Sequence, residues 1–122
     1  MILIYLSCKD IEEAKKIGKT LLEKHLAACI NFFPIQSMFW WEEKIEEADE
    51  AALLIKTLKQ NYKAIKVEVE KIHSYKVPFI GAFKVNQINE PYYHYLKKNV
   101  KKYYGKKSSL AKPNLKVKPY VR

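Results

Sequence analysis

The 122 residues are 48% apolar or aromatic and 30% charged, with only 3 Gly, which excludes a disordered or collagen-like polymer and allows one packed core but not two. The net charge of +10 is lopsided: residues 1–100 hold 15 Lys against 13 acids, net +2, whereas residues 101–122 hold 7 Lys and Arg122 and no acid, net +8. The high pI therefore describes a terminal segment and says little about the body's binding surface. No uncharged apolar run approaches the roughly 20 residues of a membrane-spanning helix, the apolar start MILIYLS lacks a cationic leader and a cleavage motif, and two cysteines are too few for a disulfide scaffold. A cytoplasmic protein in a reducing compartment, without signal peptide or membrane association, is expected.

In chain order, residues 2–8 (ILIYLSC) form a short apolar run that predicts a strand buried on both faces. Asp10 with Glu13 is a capping-box pattern, and Ile11, Ala14, Ile17, Leu21, Leu22 and Leu26 recur at helical spacing, predicting a helix to about His25. CINFFPIQSMFWW, residues 29–41, reads as a long second strand in which Pro34 marks a bulge or an edge. A charged turn leads to a third strand whose buried part is residues 51–58, making a long hairpin. Tyr62, Ile65, Val69 and Ile72 stripe a second helix ending near His73, Pro78 opens a fourth strand, VPFIGAFKV, and Asn89 caps a third helix that stops near Gly105.

The order is βαββαβ plus a C-terminal helix. Right-handed crossovers then give an α+β, ferredoxin-like antiparallel sheet in the order 4-1-3-2, with both crossover helices on one face. Residues 1–104 form the domain, and 105–122 a polar, basic, flexible tail. The second sheet face needs a cover, for which sister chains are the simplest source.

This topology puts Cys8 and Cys29 at opposite sheet ends, too far apart for a disulfide or a shared metal site in one chain. It allows two Cys/His pairs, Cys8 with His73 and His25 with Cys29, either of which could offer soft ligands to copper or zinc or simply pack. Trp40 and Trp41 lie beside Glu42, Glu43, Glu46 and Glu47; one indole faces inward and the other outward, as a subunit contact, a ligand lid or local packing. Lys56 closes the run LLIK, where it can snorkel or receive an anion, and Tyr75 can bond a ligand or orient its loop.

Four segments, LLEKHLAACIN, FWWEEKI, LLIKT and KIHSYKVPFI, resemble the CutA, or divalent-cation tolerance, family over almost all of residues 1–100. The resemblance implies a homotrimer in which long hairpins pair with neighbouring subunits and leave clefts between chains, as in PII-like signalling proteins. It also implies association with copper or another divalent metal, without an obligatory cofactor. By position it carries over Cys29 and His73 as metal residues and Trp41, Lys56 and Tyr75 as ligand-binding residues. Glu43 replaces the family's hairpin glycine, Ser74 the proline after histidine, and Lys76 and Phe79 its often acidic residues. Lys76 adds positive charge and tilts the cleft toward an anionic ligand.

Catalysis is not expected. No Ser/His/Asp set or paired carboxylates can be placed, and the body lacks the arginine that an acylphosphatase-like site needs. An RNA-recognition domain shares the element order, but its aromatic signature belongs where this chain reads AALLIKTL. The alternative to a cleft-binding trimer is a trimeric scaffold whose basic tail docks an acidic partner. With Arg122 as the one arginine, sequence-specific nucleic-acid recognition is not expected.

Overall fold

The computed structural model describes residues 1–102, so the segment 105–122 read as a tail lies outside it. The elements are β1 (Ile2–Cys8), α1 (Ile11–Glu23), β2 (Cys29–Trp41), β3 (Lys44–Thr57), a 3-10 turn (Lys59–Asn61), α2 (Tyr62–Ile72), β4 (Ile80–Lys84) and α3 (Glu90–Asn99). The sheet order is β2-β3-β1-β4 with every neighbouring pair antiparallel, which is the expected order counted from the other edge.

Strand alternation places the core. Ile2, Ile4, Leu6 and Cys8 of β1 are buried and pair with Thr57, Ile55, Leu53 and Ala51 of β3. Residues directly opposite share a face, and this one packs against Ala14, Ile17 and Leu21 of α1 and Ile65 and Val69 of α2. Each such Ile or Leu contributes about 1.5–3 kcal/mol by leaving water. The same register puts Leu3, Tyr5 and Ser7 on the opposite face with Leu54, Phe33 and Phe83. There β1 is only half-buried, so the expectation of a strand covered on both sides holds for one side within this chain.

Both ends of α1 follow from local chemistry. Asp10 Oδ1 accepts from the Glu13 amide at 2.8 Å, and the Glu13 carboxylate reaches back to the Lys9 amide at 3.0 Å, one residue beyond the usual capping-box return. The helix stops at Glu23 rather than His25, because the His25 amide turns back to the Leu22 carbonyl and the Leu26 amide to the Leu21 carbonyl. That is a Schellman stop, with His25 at φ 56 in the left-handed position usually held by Gly.

β2 is an edge strand, and its register runs unbroken through Pro34, which pairs with Ala51. Of the two readings of this proline, the edge holds and the bulge does not. β1 covers β3 only from Ala51 to Thr57. Residues 35–50 therefore project as a two-stranded ribbon, about 20 Å long at the usual rise per residue. Its turn has two central residues, Glu42 at φ 48 and Glu43 at φ 65, the left-handed pair that a two-residue hairpin needs to match strand twist.

β4 begins at Ile80, later than Pro78. The Phe79 ring folds over Gly81, where an added Cβ would lie 2.5 Å from it and push the exposed ring aside. α3 ends at Asn99, six residues before Gly105. The chain is captured there: the Lys101 amide donates to the His25 carbonyl at 2.8 Å, and Asn61 Nδ2 donates to the Lys101 carbonyl at 2.6 Å.

Candidate functional site

The five carried-over residues fall in three places. Cys29 and Lys56 are direct cross-strand partners at one sheet end. His73 and Tyr75 occupy the loop after α2 at the other end, and Trp41 sits at the hairpin turn. Lys56 and Glu50, which Tyr75 touches, are six residues apart on β3, or about 20 Å. Cys29 and His73 thus do not share a metal site within one chain, and any cleft that joins all five must draw them from different chains.

The His73 loop is anchored on two buried carboxylates, Glu13 and Glu50. His73 Nδ1 accepts from the Tyr75 amide at 2.9 Å, so Nε2 carries the proton and donates to the Ser7 carbonyl at 2.8 Å. Both ring nitrogens are engaged, and ligation of a metal by His73 would require breaking one of these bonds. The ring also packs against Tyr75, with centroids 4.8 Å apart. Tyr75 is buried and its hydroxyl donates to the buried Glu50 carboxylate. The Ser74 amide and hydroxyl donate to Glu13 at 2.8 and 2.9 Å, clamping the loop to the start of α1. Cys8 lies beside this loop's anchor, fully buried, its thiol donating to the Asp10 carbonyl at 3.4 Å. Burial, then the Glu13 charge, pushes that thiol up to about 12, which makes it an inert packing group.

The Cys29 end is more open. Cys29 is half-buried, and Lys56 lies with Nζ 5.4 Å from the Tyr92 ring centroid, close enough for a cation–π contact. The Tyr92 hydroxyl is buried and finds no well-formed hydrogen bond among the described residues. Burial, then the neighbouring Cys29 thiol, pushes this hydroxyl up to about 12. Tyr95 packs beside Tyr92 and donates to the Ala28 carbonyl at 3.0 Å. His25 is not a partner of Cys29 here: its Nδ1 donates to the Asn99 carbonyl at 3.1 Å. The arrangement offers one soft sulfur, one cation and one buried hydroxyl placed against that sulfur, a set that can hold a small anion or contribute one ligand to a soft metal. Among the described residues, no three His, Cys, Asp or Glu side chains converge to hold a metal ion.

On the ribbon, register places Trp40 on the face of Ile45 and Trp41 on the face of Lys44. Trp40 is 71% exposed, as are Met38 at 68% and Ile45 at 61%, while Trp41 is half-buried. Sequence reasoning missed Glu50 and Glu13 as loop anchors and Tyr92 as a neighbour of Cys29. For Tyr92 the signal was present in its position on the inward stripe of α3; for Glu50, one acid in an acidic run, nothing local marked it.

The family model of the CutA1 divalent ion tolerance protein matches residues 2–99. The chain belongs to the CutA1 family. It is 48% identical over 84 residues to the divalent-cation tolerance protein CutA of Archaeoglobus fulgidus, covering 69% of this chain and 82% of that one. The solved structure of the Archaeoglobus fulgidus CutA, there called periplasmic, superposes with a TM-score of 0.81 at 41% identity over 83% of this chain and all of that one. CutA1 from Pyrococcus horikoshii gives 0.81 at 36% identity over 84% of this chain and 100% of that one. The CutA1 match ends where the basic excess begins. No helix of the described residues is long and apolar enough to cross a membrane.

Proposed function

We propose that this CutA1-family chain is a homotrimeric, non-catalytic cytoplasmic protein that binds a divalent metal such as copper, or a small anion, in clefts between subunits, and serves tolerance to divalent cations by that binding. The observation that carries the reading is the half-covered sheet. α1 and α2 pack on the face of Ile4 and Leu53, while Leu3, Tyr5, Phe33, Leu54 and Phe83 are displayed on the other. Phe83 is 58% and Phe33 38% exposed, an apolar surface of the kind sister chains cover. Stacking copies on it brings the Cys29–Lys56 end, the His73–Tyr75 loop and the Trp41 turn within reach of one another across chains. Within such a cleft Lys56 receives the anion, and Cys29 supplies a soft ligand to the metal.

Mass in solution tests the assembly: a species of three 14.4 kDa chains is expected, and a well-folded monomer at micromolar concentration would remove the clefts. Titration calorimetry with copper, zinc and common nucleotides tests the binding. Cys29→Ser should abolish a metal signal and Lys56→Ala an anion signal; a trimer silent toward every one of these ligands refutes the binding role.

A further inference from the structure

The described residues gather a second charged surface apart from the proposed clefts. Asn61 Nδ2 holds the Lys101 carbonyl at 2.6 Å. Lys59 and Lys63 flank Asn61, while Lys97, Lys98 and Lys102 lie within four residues of Lys101. That one part-buried hydrogen bond therefore joins two segments that carry six exposed lysines, and none of them makes an ion pair among the described residues. The acids of α2 are taken: Glu68 pairs with Lys24 and Lys71, and Glu70 with Lys66. No acid follows Glu90 anywhere in the chain. Lys59, Gln60, Tyr62 and Lys63 line an open depression of ≈ 550 Å³.

We infer that this surface, formed by Lys59, Lys63, Lys97, Lys98, Lys101 and Lys102, binds the phosphate backbone of single-stranded nucleic acid without regard to sequence. Unpaired ammonium groups in a cluster release counterions from a polyphosphate, which drives such binding. Lysine acts on phosphate as a point charge, whereas forked reading of base edges favours arginine, and the body has none. Single strands are favoured because the exposed aromatic beside the lysines is a tyrosine: Tyr93 is 37% exposed, and Lys97 Nζ lies 4.6 Å from its ring centroid. Such rings stack on unpaired bases. An anionic membrane would call for an apolar wedge among the cations, and Met38, Trp40 and Ile45 are on the hairpin ribbon instead.

Anisotropy of a fluorescein-labelled 20-nucleotide oligo(dT), with the full chain at 50 and 200 mM KCl, tests this. Six contacts on a single strand give a log–log salt slope near −4, so affinity should fall roughly 300-fold between the two salts. Lys59→Gln/Lys63→Gln/Lys97→Gln/Lys98→Gln should flatten the slope by about 3, while the corresponding quadruple Lys→Arg variant keeps it and controls for folding. Binding unchanged in the Gln variant, which would assign it to residues 103–122 alone, overturns the inference. So does loss in the Arg variant, absence of oligonucleotide binding, or capture by phosphatidylserine vesicles without the oligonucleotide.

Discussion

Glycine introduced at Glu43 should make the protein more stable. Glu43 sits at φ 65 in the second central position of the hairpin turn, a left-handed conformation that costs an ordinary L residue about 1–2 kcal/mol. Glycine removes that cost but loses more chain entropy on folding, an offset of about 0.4–1 kcal/mol. The net gain from Glu43→Gly is therefore about 0.5–1 kcal/mol, which raises the melting temperature by about 2–8 °C in a domain of this size. Removing one acid from a turn that also carries Glu42, Glu46 and Glu47 adds a small electrostatic gain, so Glu43→Ala is the necessary control: it deletes the charge and keeps the strained backbone. Thermal melts of all three proteins should be run at one protein concentration, because association would shift them. The expected ranking is Gly above both Ala and Glu. An Ala variant as stable as the Gly variant would show that charge and not backbone strain governs this turn.

Three further outcomes are expected. Glu13→Ala leaves the Lys9 amide, the Ser74 amide and the Ser74 hydroxyl without their acceptor and should cost about 2–4 kcal/mol in urea unfolding; a cost under half a kilocalorie would mean water replaces the carboxylate freely. Burial works to raise the Glu68 carboxyl, but the Lys24 hydrogen bond and charge, with Lys71, outweigh it and hold the group below its ordinary value. A depressed carboxylate contributes stability above its unfolded pKa and loses it as pH falls through the folded one. Lys24→Met should therefore destabilise by under about 1 kcal/mol at pH 7, since Lys24 is half exposed, and by nothing once acid has protonated Glu68; an equal deficit at both pH values contradicts the pairing. Cys8, buried and with its thiol pushed up to about 12, should resist iodoacetamide at pH 8 in the native protein and react once urea unfolds it, as read by peptide mass; ready native alkylation would mean that the β1 end opens.

The fold was legible because each element carried its own local signal. The short apolar run ILIYLSC, the stripe Tyr62-Ile65-Val69-Ile72 and the Asp10–Glu13 cap each rest on patterns within a few residues. What escaped was decided by distant partners. Helix α3 stops at Asn99 because His25 and Asn61, dozens of residues away in sequence, take hold of Lys101. α1 stops early because a histidine accepts the left-handed geometry that sequence patterns assign to glycine. At the site, cross-strand register made Cys29 and Lys56 neighbours, as reasoning from topology allows. The tautomer of His73 depends on the Tyr75 amide and the Ser7 carbonyl, and backbone groups are invisible in a list of side chains.

Among the described residues, no third strand lies alongside the projecting ribbon of residues 35–50. Two strands in water are marginal alone, and their outer backbone groups invite any passing strand to add on. The acids at Glu42, Glu43, Glu46 and Glu47 act as gatekeepers, since two such tips repel each other end to end. In the proposed trimer, folding of this ribbon and capture of a neighbour would be tied together: an unassembled copy carries this edge uncovered by any other described strand, guarded by charge that salt can screen.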